Sequence, residues 1–128
     1  MTLQSDIVAF LIAQGYGSTA NIFEWNIPDK PTEAIVVIPY GGPAPQHFYG
    51  SSDAIEYPCF QIQVRSATVK TAHDKAAAIE ALLDGKKDLA GYISIFSAHS
   101  GIDYLGREGR EDGFHVKFAV SFNVIKMN

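Results

Sequence analysis

The chain has 128 residues, 47% of them hydrophobic, 12% aromatic and 19% charged, a composition that excludes a disordered or low-complexity protein. Its length suits a single domain, residues 1–128, with a core that needs no disulfide or metal. Ten Lys and Arg against fourteen Asp and Glu leave a net charge of −4, so no overall field draws the chain to nucleic-acid phosphates or anionic lipid. Cys59 is the single cysteine and cannot form an internal disulfide, which suits a reducing compartment. The N-terminal stretch lacks a basic leader region and carries Asp6, so no signal peptide is expected, and no apolar run reaches the length of a membrane span.

Leu3, Ile7, Phe10 and Leu11 recur at helical spacing, Thr2 or Ser5 can cap the start, and Gly15 sits where a left-handed cap ends a helix. Asn21–Trp25 is a short β-prone run. Ala34–Ile38 is a β-branched run between Pro31 and Pro39, consistent with a strand buried on both faces. Residues Tyr40–Tyr57 have no periodicity and read as a long loop rich in rings, in which His47, Phe48 and Tyr49 either plug the core or reach a partner. Phe60, Ile62 and Val64 then alternate with Gln61, Gln63 and Arg65, the pattern of a half-buried strand.

Thr71 is the expected start of the second helix, whose apolar stripe is Ala72, Ala76, Ile79, Leu82 and Leu83 and whose stop is Gly85. Lys86 and Lys87 follow, where positive charge complements the helix dipole. Tyr92–Ala98 and Ile102–Leu105 are strand candidates, and Gly106–Gly113 reads as a charged, glycine-punctuated turn. Phe114, Val116, Phe118, Val120, Phe122 and Val124 then form an unbroken alternating face, which fixes register strongly. A strand from Phe114 to Ile125 is about twice the usual length, so it must bend, bulge or continue into a neighbouring subunit. The fold class is α+β: a mostly antiparallel sheet with two helices on one face, in the order α-β-β-loop-β-α-β-β-β.

Catalytic constellations are not supported. Cys59 or Ser100 could be drawn beside His99, but no nucleophile elbow surrounds them, and Cys59 after Pro58 reads as a small buried hydrophobe. His47, His73, His99 and His115 are scattered singly, without metal-ligand spacing; His73 reads as a solvated helix residue and His115 as part of the last strand's polar face. Gly41-Gly42-Pro43 and the Gly106–Gly113 segment lack the following helix that a phosphate cradle requires. No catalytic residue, cofactor or metal is expected.

The run Tyr57-Pro58-Cys59-Phe60-Gln61-Ile62-Gln63-Val64-Arg65, followed by an Ala-rich helix ending Ile79-Glu80-Ala81-Leu82-Leu83-Asp84-Gly85, resembles the minor capsid and tail-terminator (head–tail joining) proteins of long-tailed bacteriophages. Leu105-Gly106-Arg107, Arg110 and the final Phe118–Val124 strand extend the resemblance, which spans about Ile7 to Ile125; the Tyr40–Tyr57 segment departs from the pattern. It implies a non-enzymatic virion protein, assembled in the host cytoplasm, that forms a hexameric ring at the head–tail junction. Its partners would be itself, the tail-tube protein and head-completion proteins, with DNA passing through unbound and no membrane involved. The candidate interface residues are His47, Phe48, Tyr49, Arg107 and Arg110. The alternatives are a small cytoplasmic α+β enzyme or ligand-binding module with a pocket near residues 40–57 and His99, and a partner-binding domain of a host protein.

Overall fold

The fold is that of a computed structural model describing residues 3–28, 31–41, 46–47, 54–89, 91–98, 102–110 and 113–127. Helix α1 (Leu3–Ala13) leads into strands β1 (Ile22–Glu24) and β2 (Ala34–Tyr40). Two short strands follow, β3 (Gln46–His47) and β4 (Ala54–Glu56), and then β5 (Cys59–Ser66). Helix α2 (Val69–Leu83) precedes β6 (Lys86–Leu89), β7 (Tyr92–Ser97), β8 (Asp103–Arg110) and β9 (Gly113–Met127). The class is the expected α+β. β1 runs parallel to β2, and every other pairing is antiparallel.

Strand β9 organises the sheet. On one edge it pairs with β5 and then β4, from Ser66↔Val116 to Ile55↔Met127. The two partners keep one register although Pro58 has no N–H to give, because its carbonyl still accepts from Val124 N–H at 2.9 Å. On the other edge β8 covers Gly113–Ala119 and β7 covers Phe122–Ile125. The long final strand is thus shared among short partners within one chain. β5 and β7, which flank α2 in the chain, point the same way, and β9 lies between them.

One face of the sheet carries the core. Ile35 and Val37 of β2, Phe60, Ile62 and Val64 of β5, and Val116, Phe118, Val120, Phe122 and Val124 of β9 are all buried there. Ile7 and Leu11 of α1 and Ala72, Ala76, Ile79 and Leu83 of α2 pack against them, each at 0% exposure. The alanines bring α2 close to the sheet, close enough for the ring of His73, otherwise solvated, to meet Phe118 edge-on at 5.4 Å.

Several local expectations shift. The cap of α2 is Thr68, not Thr71: its hydroxyl accepts from Thr71 N–H at 3.2 Å, so Thr71 is the third helical residue. Ser5 lies inside α1. Lys86 and Lys87 begin β6, because Gly85 at φ +80 turns the chain and donates to Ile95 O, seating them beside β7. The Gly106–Gly113 turn is mostly strand. Gly106 takes φ +122 at a register break in the β8–β9 ladder, and pairing resumes to Arg110↔Gly113. The Tyr40–Tyr57 loop contains β3 and β4, which extend the sheet along the end of β9.

α1 is held to the sheet by a hydrogen bond as well as by packing. The buried Tyr92 hydroxyl donates to Asp6 Oδ2 at 2.9 Å. Burial first, and then the Asp6 acceptor, pushes the phenol up to about 12. The neutral phenol's contribution to stability is therefore intact below its ordinary value near 10 and is lost as pH rises through about 12. Thermal melts across that interval should show a steep alkaline loss in the parent and a shallower one in Tyr92→Phe; identical slopes would mean the bond contributes nothing. No helix among the described residues is long and apolar enough to cross a membrane.

Candidate functional site

Strand alternation leaves β2, β5 and β9 a second face, on the side away from both helices. Across it run Val36, Ile38 and Tyr40 of β2, Cys59, Gln61, Gln63 and Arg65 of β5, and His115, Lys117, Ala119, Ser121 and Asn123 of β9. Its middle rows contain no charge. Gln63 Nε2 donates to Gln61 Oε1 at 2.9 Å, Gln61 Nε2 donates to Ser121 Oγ at 3.4 Å, and the Tyr40 hydroxyl also bonds Ser121. The Cys59 thiol donates to Asn123 Oδ1 at 3.0 Å. Burial pushes that thiol up, so it stays protonated and unreactive. The face is a half-buried ladder of neutral amides and hydroxyls.

Charge collects at the end of this face nearest the β8–β9 hairpin. Arg65 is 1% exposed, and its guanidinium donates to Pro31 O at 2.6 Å and Thr32 O at 3.2 Å. His115, read from the sequence as a polar-face residue, is on that face but buried, with Nε2 3.3 Å from Thr32 Oγ1. The Pro31–Glu33 segment thus covers both side chains. Beside them an open concavity of about 280 Å³ is lined by Gln63, Leu105, Gly106, Arg107, His115 and Lys117.

The candidate interface residues fall into two separate places. Arg107 lies in β8 and lines the concavity; Arg110 stands opposite Gly113 at the hairpin's far end. His47 pairs with Ala54 in the β3–β4 ladder, which joins β9 at its opposite end. Phe48 and Tyr49 lie outside the described residues, as do His99 and Ser100, so the pocket expected near residues 40–57 and His99 is not one the structure describes. The sequence reading passed over Gln61, Gln63 and Ser121 as candidate contacts. Their signal was present: the polar positions of two alternating strands carry amides and a hydroxyl where solvated strands ordinarily carry Lys or Glu.

The model of a family described as bacteriophage tail terminator protein matches residues 10–113, from within α1 to the first residue of β9. The chain belongs to the bacteriophage tail terminator family. No curated protein matches the sequence. Membership makes this terminator a structural component of the phage tail, a virion protein that meets other tail and head components. The uncharged, hydrogen-bonding middle of this sheet face is the kind of surface such contacts use, since interface centres are depleted of charge.

Proposed function

We propose that this terminator ends growth of the tail tube by forming a ring, six copies around, at the head–tail junction, with DNA passing through it unbound. The family match over residues 10–113 carries the reading. Two physical features support it. The neutral ladder on the second face suits burial against protein, and the net charge of −4 gives the ring no bulk attraction for a passing phosphate backbone. The protein acts without catalysis or cofactor. His47, Phe48 and Tyr49 serve one contact in the assembly and Arg107 and Arg110 another; the placing of His47 and Arg107 towards opposite ends of β9 supports that division.

Electron microscopy of tail-tube protein assembled with and without this chain tests the function. Tubes should stop at defined lengths and carry a ring at one end when the chain is present, and run on without limit when it is absent. Tubes of the same length distribution in both preparations would refute the proposal. Native mass spectrometry of the purified chain reads the copy number directly.

A further inference from the structure

Trp25 is the only non-glycine residue among those described that has a positive φ, at +70. It is also the most exposed large apolar side chain described, at 57%. It directly follows β1, the edge strand beyond β2, and its N–H donates to Val37 O at 3.1 Å. Asn26 N–H reaches back to Glu24 O at 2.8 Å, so Trp25 is the centre of a strained γ-turn. Bulky residues avoid this backbone region, and glycine would occupy it without penalty. The fold therefore carries strain to hold out an indole that it does not itself bury. Such a pairing of strain with an exposed aromatic marks a contact residue.

The concavity beside β8 offers a seat for that indole. A cavity of roughly 150 Å³ holds a benzene ring, so about 280 Å³ admits the bicyclic indole. Its chemistry matches as well. Leu105, 46% exposed, supplies apolar surface, and Lys117 supplies a cation for the ring face. The Gln63 amide gives its N–H to Gln61, which leaves a carbonyl oxygen to accept from the indole N–H. The chain's own Trp25 cannot use this seat, which spans β5, β9 and β8: β2 intervenes, and roughly 10–15 Å of sheet separates β1 from β5 and β9.

We propose that Trp25 of one copy seats in the concavity lined by Gln63, Leu105, Arg107 and Lys117 of the next copy. The proposal rests on the ring reading and names its contact. A knob and a seat on different surfaces of one chain make a head-to-tail contact, the kind that closes into a ring when the rotation between copies divides a full turn.

The sequence contains one tryptophan, so fluorescence reports this residue alone. Emission should shift to shorter wavelength when rings form and back when they are diluted apart. Trp25→Gly removes the knob and relieves the turn; Leu105→Glu spoils the seat at an exposed position. Each variant should keep the parent's circular dichroism yet run as a monomer in native mass spectrometry. An equimolar mixture should give a one-to-one heterodimer and nothing larger, because one partner retains only a seat and the other only a knob. Full rings of Trp25→Gly, or ring emission characteristic of a water-exposed indole, would overturn the contact and leave the ring standing. A parent chain that stays monomeric even when bound to capped tail tubes would overturn the ring itself, and the contact with it.

Discussion

Truncating Phe122 to alanine should cost about 3–5 kcal/mol, the range for a large aromatic removed from a packed core. Phe122 is fully buried at the centre of β9, paired across the ladder with Phe60. The two rings stack with centroids 5.0 Å apart and planes 22° from parallel. Stacked pairs contribute beyond their burial, and the neighbours here are strand residues that cannot collapse into the space left behind. Against the 5–15 kcal/mol typical of whole domains, such a loss is severe. Urea denaturation should show the midpoint falling with little change in slope. Lys117→Ala, on the opposite face of the same strand, should shift stability by no more than about 0.5 kcal/mol. Comparable losses for the two would mean that the second face is as tightly packed as the first.

Arg65→Ala should be the next largest effect, about 3 kcal/mol. The side chain is buried at 1% exposure and ties β5 to the Pro31–Glu33 segment through two backbone carbonyls. Hydrogen bonds from charged donors contribute about 1.5–3 kcal/mol each, and removing the side chain also opens a cavity over β9. Arg65→Lys should recover only part of the loss, since an ammonium cannot span both carbonyls as the planar guanidinium does. If Arg65→Lys were as stable as the parent, charge alone rather than the fork would be what the segment needs. Hydrogen exchange at Ile35, whose N–H is held by Asn21 O, would show whether loosening spreads from this segment into β2.

The parts of this fold that sequence made legible are those in which one physical rule acts alone. Alternation from Val116 to Val124 and the stripe from Ala72 to Leu83 both predicted their buried faces because each element packs against a single apolar layer. Where two rules compete, local reading fails. Gly106, Gly109 and Gly113 signal a turn, but pairing with a fifteen-residue β9 draws most of that segment into β8, and only the backbone of Gly106 departs from the ladder. Gln46–His47 and Ala54–Glu56 are too short to show any period, and they become strands only because the end of β9 needs partners. Thr71 reads as the helix start because Asp74 stands three residues after it, in the spacing of a capping box. Yet Asp74 instead binds Lys70, one helical turn before it, at 2.8 Å.

The candidate surface was harder to read for a related reason. A contact face depends on what several strands present together, and the amide ladder joins residues about sixty positions apart, such as Gln61 and Ser121. The family resemblance located Arg107 and Arg110 but could not show that one end of β9 holds them and the other holds His47. Trp25 looked like the end of a β-prone run, and nothing in the string Glu24-Trp25-Asn26 announces a positive φ.

The position of β9 also governs how the chain must fold. It is synthesised after every other described strand, yet it belongs in the middle of the sheet, between β5 and β7. Until it emerges from the ribosome, β5 has an empty ladder on one side and β7 has no central partner, so the apolar undersides of both wait without a core. Closure requires pairings between segments many tens of residues apart, the kind of topology that slows folding to milliseconds or longer. Nascent copies consequently cannot mature from their N-termini, and exposed ladders on incomplete chains favour off-pathway association. The chain closes its core only once β9 is in place.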